Sequence, residues 1–288
     1  MNARDRKSGT LYVVATPIGN LDDISARALR TLAEVGVVAA EDTRHTARLF
    51  ARHGIKTRTI PYHDHNEEIQ GPRLMEMLHA GTDVAIVSDA GTPLVSDPGY
   101  RLVRGAHEAD IAVRTIPGPC AAIAALSVAG LPTDRFVFEG FLPPKSAARC
   151  ARIEHLKRET RTLVFYEAPN RALATLRDLR DILGGERAAT VARELTKAFE
   201  TVRRGVLQEL CVWMEADENQ QRGEFVIVVA GNAAEAQTSA IEGEALLTAL
   251  LEVLPVREAA ATVAKICGGS KNEWYRMAIT AKGASGKG

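Results

Sequence analysis

Between residues 10 and 116 the chain alternates short apolar runs with amphipathic stretches, a rhythm that few folds accommodate. The runs LYVVA, VVAA, DVAIVS and AVRTI are rich in Val, Ile and Ala. Between them stand DDISARALRTLAEV, TARLFARHG, a helical segment around RLMEMLHAG, and DPGYRLVRGAHEAD. Short apolar runs separated by helices predict a largely parallel sheet covered on both faces. Asp22, Asp23 and Ser25 supply capping and first-turn acidity for one helix, while Gly54 and Gly81 stand where helix C-caps belong.

The proline cluster IPGP at 116–119 punctuates this pattern and opens the helix CAAIAALSVAG, which places a domain boundary there. The second half reads FVFEGF, a helix around ARCARIEHLKR, TLVFYEA, a helix over NRALATLRDLRDIL, AATVAREL, ETVRRGVL, a short helix near LQELCVWMEA, and FVIVVAG. No helix separates the strand-like pieces at 189–194 and 200–206, so mixed or antiparallel pairing is expected in this half. After GNAAEAQTSA, read as a linker, the pattern helix, VREAAATVAKICG, Gly268 and Gly269, helix has the spacing of a small helix-turn-helix. The predicted architecture is α/β. It has an N-terminal α/β domain over 9–117, a C-terminal α/β domain over 118–232, a ligand cleft between them and a helix-turn-helix unit over 243–282.

Composition narrows the function less than the pattern does. Lys and Arg total 36, as do Asp and Glu, so any polyanion site must be argued locally. Cys120, Cys150, Cys211 and Cys267 stand far apart without a CxxC pair, which fits reduced thiols in a cytosol better than a disulfide frame or a zinc site. The start MNARDRKSG lacks the apolar core of a signal peptide, and the apolar run around CAAIAALSVAGL is too short to span a bilayer. A cytoplasmic protein with no membrane association is expected.

The segment SDAGTPLVSDPG, residues 88–99, follows a buried strand, which is where open α/β sheets bind ligands. Ala90 and Gly91 allow close backbone approach, and Asp89 can accept hydrogen bonds from ribose-like hydroxyls. Neither GxxxxGK[ST] nor GxGxxG occurs, which disfavours a nucleoside triphosphate or NAD. TPIGN at 16–20 and IPGPCAA at 116–122 end two other strands and can line the same crevice. Cys120 at a helix start invites a nucleophile reading, but no GxSxG-like elbow surrounds it, and a small residue packed beside a ligand is the better alternative.

LYVVATPIGNLDDIS, AEDTRHT, YHDHNE, VSDAGTPLVSDPGYRLV, IPGPCAAIAALSVAGL, FEGFLPPK, LVFYEAPNR, VARELTK and RGEFVIVVAG occur in this order. Together they resemble the tetrapyrrole methylase superfamily and, within it, the ribosomal small subunit methyltransferase I branch. The resemblance runs from about Gly9 to Gly231 and extends into the tail, which is similar to that branch's helix-turn-helix unit. It implies an S-adenosylmethionine-dependent enzyme that methylates the 2'-hydroxyl of a cytidine in 16S ribosomal RNA. It further implies two α/β domains with the donor in the cleft between them, and a homodimer. By position, the family's donor contacts fall on Pro17, Ile18, Asp89, Gly91, Thr92, Cys120, Ala121 and Ala168. Where this chain has Cys120, relatives often carry serine.

Such a reaction needs alignment of the ribose oxygen and a group to take its proton, with no metal and no covalent intermediate. His63, Asp64 and His65 of YHDHNE, and Glu41 of AEDTRHT, are the candidate bases. The first three also read as a polar helix N-terminus capped by Asp64 or Asn66. No further ligand group stands at metal-site spacing, so no metal is expected. Arg171, Arg193 and Lys197 follow strands of the second half. They can clamp RNA phosphates or form salt bridges. In the tail, Lys271 lies near Trp274 and Tyr275, an aromatic and basic set suited to RNA, although both rings are as well explained as the core of so small a unit.

Three other functions remain open on the residues. One is a methyltransferase acting on a precorrin-like metabolite, against which VFYEAPNR, VARELTK and the tail argue. The second is a DNA-binding regulator using the helix-turn-helix. The third is a thiol hydrolase built on Cys120.

Overall fold

The computed structural model describes residues 8–285. Two compact units partition the chain: one holds the residues up to 154 together with 162–229, the other residues 155–161 together with those from 230 onward.

In the first unit, β1 (Leu11–Val14), α1 (Ala26–Glu34), β2 (Val37–Ala40), α2 (Thr43–His53), β3 (Thr59–Pro61), α3 (Glu67–His79), β4 (Val84–Val87), α4 (Tyr100–Glu108) and β5 (Val113–Ile116) follow one another. Their strands form one sheet in the order β3-β2-β4-β1-β5, with every pairing parallel. β2 and β4 are buried along their whole length, as their unbroken apolar sequences require. One face packs Val14, Val38, Ala85 and Val87 against Leu32 of α1 and Leu49 and Phe50 of α2. The other packs Val37, Val84 and Ile86 against Leu74 and Leu78 of α3 and Leu102 and Ala106 of α4. β3 was not anticipated. It is three residues long and ends on Pro61, as befits an edge. Ser25 Oγ accepts the Ala28 amide at 3.0 Å and caps α1, whereas Asp22 and Asp23 lie in a separate 3-10 turn ahead of it. Gly54 closes α2 in the left-handed conformation, with φ 66°.

The chain leaves this sheet through residues 117–120. α5 (Ala121–Ala129) buries Ala122, Ala125 and Leu126 against the second sheet. That sheet is built from β6 (Phe136–Phe141), β7 (Thr162–Glu167), β8 (Ala188–Arg193), β9 (Thr201–Val206) and β10 (Phe225–Val229). α6 (Ser146–His155), α7 (Ala172–Leu183) and α8 (Leu207–Ala216) lie among these strands in sequence. The order is β6-β7-β10-β8-β9, with only β6 and β7 parallel. The antiparallel β8–β9 pair is the one expected from the missing intervening helix. Crevice-forming loops of both sheets therefore belong to a single unit.

In the second unit, α9 (Ala233–Leu251), α10 (Val256–Cys267) and α11 (Lys271–Ser285) enclose a small core of Leu247, Ala259, Ala260, Val263, Trp274 and Ala278. The stretch read as a linker is the opening of α9. Its alanines favour helix, and composition alone could not separate the two. Trp274 is buried and its indole donates to the Gly268 carbonyl at 2.7 Å, which settles it as core, whereas Tyr275 is exposed. Among the described residues no helix is long and apolar enough to cross a membrane.

Candidate active site

Three strand-end loops of the first sheet are tied into one surface. Thr16 and Gly91 exchange backbone hydrogen bonds at 2.8 and 3.1 Å, Thr16 Oγ1 donates to the Ser88 carbonyl at 3.1 Å, and Thr92 Oγ1 donates to the Pro119 carbonyl at 3.0 Å. The loops after β1, β4 and β5 thus meet, as their parallel strands dictate. Gly91 has φ 88°, and a Cβ there would touch Ile18 and the Pro119 carbonyl, so its backbone borders the cavity directly.

That cavity, of about 290 Å³, is walled by Ile18, Gly91, Thr92 and Ala121 on one side and by Tyr166 and Ala168 on the other. A neighbouring hollow of about 500 Å³ takes in Pro17 and Asp89 and shares Ile18 and Ala90 with the first. Seven of the eight expected donor contacts therefore line these two hollows. The eighth, Cys120, stands at the N-cap of α5. Its Sγ lies 4.0 Å from the Tyr166 hydroxyl, which itself accepts the Ala122 amide at 3.1 Å.

Carboxylates cluster beside the two hollows. Asp89 accepts the Asp42 amide at 2.9 Å and donates its own amide to Glu41 at 3.2 Å. Burial, reinforced by the neighbouring Asp89 and Asp64 carboxylates, pushes Glu41 above the ordinary carboxylate range despite that amide. Asp97 is a wall residue of the cavity that the sequence did not single out. Burial first, then the charges of Glu41, Asp89 and Asp64, raise its carboxyl to about 7 against the opposing Ser88 hydroxyl. Leu94 and Ser96 hold positive φ, 73° and 67°, in the loop that delivers Asp97. Side-chain-bearing residues rarely adopt such angles unless their surroundings enforce them. Part of that enforcement comes from the second sheet, where the bulge at Gly140 runs so close that a Cβ would lie 2.9 Å from Ser96 Oγ. Across the cavity, Phe141, half exposed, packs edge-on against Tyr166 with ring centroids 5.6 Å apart.

The candidate bases of YHDHNE divide. His63 and Asp64 lie close enough to bear on Glu41, while His65 is exposed with its ring 6.0 Å from that of His63. His63 Nε2 is 3.2 Å from the Asn66 side-chain amide nitrogen, which can donate to it. Asn66 is the N-cap of α3, yet its side-chain oxygen accepts the His63 amide instead of a helix amide. His63 is thereby committed to shaping the turn. No group of three or more His, Cys, Asp or Glu among the described residues is arranged to hold a metal.

The residues expected as phosphate clamps, Arg171, Arg193 and Lys197, have partners within the fold. Arg171 Nη2 reaches both carboxylate oxygens of Glu167, at 2.8 and 3.0 Å, and the Leu142 carbonyl at 2.8 Å, and the Glu167 side chain is wholly buried. Arg193 is buried at the end of β8 and donates to the Arg222 carbonyl at 3.1 Å. Both guanidiniums are engaged inside the fold through their terminal nitrogens, and each leaves a buried Nε without a hydrogen-bond partner among the described residues. Lys197 lines the second hollow, but its ammonium is held by Glu194 and Glu224, each at 2.9 Å. Its loop carries positive φ at Glu194 and Thr196, 52° and 66°, a second strained segment beside the cavity. Lys271 is exposed at the start of α11.

Comparison with known proteins places the chain in a family. Residues 10–211 match the family model of Tetrapyrrole (Corrin/Porphyrin) Methylases, and residues 237–282 match that of the RsmI C-terminal HTH domain. The ribosomal RNA small subunit methyltransferase I of Pseudomonas aeruginosa is 56% identical over 280 residues, covering 96% of this chain and 99% of that one. The protein of the same name from Escherichia coli O157:H7 is 49% identical over 281 residues, covering 97% and 98%. Among solved structures, the methyltransferase CobJ aligns over 79% of this chain and 95% of its own, with TM-score 0.59 and 23% identity. Diphthine synthase aligns over 80% and 94%, with TM-score 0.57 and 16% identity. At those identities the structural likeness speaks for the fold alone. With most of the chain matched by the family model and near-complete relatives at about half identity, the chain belongs to the tetrapyrrole methylase family.

Proposed function

We propose that this protein transfers a methyl group from S-adenosylmethionine to the 2'-hydroxyl of a cytidine in 16S ribosomal RNA. The observation that carries the reading is the cradle in which Thr16, Gly91 and Thr92 lock three strand-end loops together, in a chain whose near-full-length relatives are named for methylating small-subunit ribosomal RNA. The cradle suits the donor. Backbone at Gly91 borders it in a positive-φ conformation that favours glycine, Ile18, Ala121 and Ala168 give apolar walls, and Asp89 stands at the strand end to accept from ribose hydroxyls. Acidic Glu41, Asp64, Asp89 and Asp97 suit a positively charged ligand.

When bound, S-adenosylmethionine supplies a methyl group already activated on a sulfonium. The residues need only hold the acceptor oxygen in line and take its proton. Asp97 is the best-placed acceptor of that proton, because it shares the cavity with the donor-contact residues while Glu41 has an oxygen engaged by the Asp89 amide. Burial, with the charges of Glu41, Asp89 and Asp64, keeps Asp97 basic. His63 and His65 shape the acceptor side of the same edge. Lys271 on the helix-turn-helix unit is available for phosphate. The protein works as a homodimer in the cytoplasm, on RNA within the small ribosomal subunit.

The test is transfer of labelled methyl to small subunits purified from cells lacking the protein, followed by nucleoside analysis and light scattering of the enzyme. Label in 2'-O-methylcytidine supports the reading. Label in another nucleoside, or none while donor binding persists, overturns it.

A further inference from the structure

The chain is neutral overall, yet residues 25–58 hold seven Lys or Arg against three Asp or Glu. On α2, Arg44, Arg48 and Arg52 recur every four residues and are exposed, opposite the buried Thr46, Leu49 and Phe50. Four residues of helix rise about 6 Å, so the stripe is about 12 Å long.

Helix stability does not explain it. Like charges four apart cost about 0.2–0.5 kcal/mol per pair, and a cation in the first turn opposes the helix dipole. Arg44 meets its N-cap neighbour Asp42 at 2.7 Å and Arg52 lies 3.7 Å from Asp22, but Arg48 has no ion pair among the described residues. Its position is specific: Arg48 and His45 line the same hollow as Pro17 and Asp89, and Arg52 lines the adjoining depression with Asn20 and Lys197. Arg48 and Arg52 of the stripe therefore border the proposed methyl-transfer site, with Arg44 one turn further along the same helix face, whereas Arg171 and Arg193 have partners within the fold.

We propose that Arg44, Arg48 and Arg52 form a phosphate track that holds the RNA strand across the mouth of the site. The inference rests on the functional reading above. Contacts of this kind set position and affinity but carry no base information. An RNA strand presenting a ribose to the cavity passes α2, and its phosphates replace solvent counterions along the stripe.

The experiment measures binding of the full-length protein to small ribosomal subunits across a potassium chloride series, with donor affinity followed by calorimetry. Each lost phosphate contact lowers the slope of log K against log salt by about 0.7 for single-stranded RNA. The triple variant Arg44→Gln, Arg48→Gln, Arg52→Gln is expected to lose about 2 from the slope and at least tenfold in affinity at low salt, with donor affinity within twofold. Arg48→Gln alone leaves the Asp42 and Asp22 pairs intact, so it keeps the test open should the triple variant misfold, and it is expected to lose about a third of that slope change. Arg104→Gln, at an exposed arginine paired with Glu108 on α4, is expected to change nothing. Wild-type slope in the triple and Arg48 variants would overturn the track alone. A wild-type protein with no salt-dependent binding to subunits would overturn both the track and the functional reading.

Discussion

The carboxylate of Asp89 accepts the backbone amide of Asp42 at 2.9 Å, joining the end of β4 to the start of α2. One carboxylate oxygen is thus structural, in a residue that also lines the second hollow. Asp89→Asn keeps an acceptor for the amide and loses the charge, whereas Asp89→Ala loses both. Hydrogen bonds to a charged group are worth about 1.5–3 kcal/mol and neutral ones about 1 kcal/mol. Calorimetry with S-adenosylmethionine is expected to show donor affinity several-fold weaker for Asn and about ten- to a hundredfold weaker for Ala, with a lowered Tm only for Ala. Wild-type affinity in both removes Asp89 from the donor site.

Asp97 links pH to activity and stability in opposite senses. Only its ionised form can take a proton, so methyl transfer rises with pH through about 7 and then levels off. Asp97→Asn is expected to lose about 10²–10⁴ in kcat and to flatten that limb while still binding donor. The folded-state carboxyl sits above its unfolded value of 3.8, so its contribution to stability is fully present below that value and is lost as pH rises to about 7. At pH 8 the Asn variant is therefore expected to melt higher than the wild type, and at pH 4 no higher. A wild-type advantage at pH 8 would show that the ionised carboxylate is stabilising.

These two residues mark how far the sequence could be read. Val- and Ile-rich runs after a helical period identified β1, β2, β4 and β5, and the missing helix between β8 and β9 foretold their antiparallel pairing. The residues that the resemblance assigns to the donor sit at strand ends, which topology gathers around two neighbouring hollows. What could not be read was side-chain direction. Arg171 follows β7 and Arg193 ends β8, places a phosphate clamp could occupy, but whether a guanidinium points outward or folds onto Glu167 or the Arg222 carbonyl depends on packing that spacing does not encode. Asp97 lay inside the very segment singled out. Its raised carboxyl arises from burial and from Glu41 and Asp64, carboxylates at two other strand ends remote in sequence, together with Asp89 of its own loop.

The Arg171 pair carries its own consequence. Glu167 is fully buried and also accepts the Thr175 hydroxyl at 2.6 Å and the Ala168 amide at 2.8 Å. Arg171→Met leaves that carboxylate without its counter-charge, which typically costs about 3–5 kcal/mol. Urea denaturation is expected to show a loss of that size. Adding Glu167→Gln should recover much of it, since an unpaired charge is then no longer buried. The salt slope for RNA binding, corrected for folded fraction, should stay at the wild-type value. A slope reduced by Arg171→Met would return this arginine to the RNA surface.

Cys120 separates a packing role from a chemical one. It is the N-cap of α5, with φ −147° and ψ 118°, and its thiol makes no capping hydrogen bond. Serine at an N-cap accepts from the amide two or three residues on. The amide of Ala122 is already satisfied by Tyr166, which leaves that of Ile123. Cys120→Ser is therefore expected to stabilise the protein by about 0.5–1 kcal/mol, seen as a higher urea midpoint at unchanged m-value. A hydroxyl near neutral pH is a far weaker nucleophile than a thiol, so any covalent role for Cys120 would make the same variant nearly inactive. Methyl transfer within twofold of wild type is the expected result, because sulfur at this position only fills the space between α5 and the Tyr166 hydroxyl. Collapse of activity with donor affinity intact would instead make the thiol a participant in the chemistry.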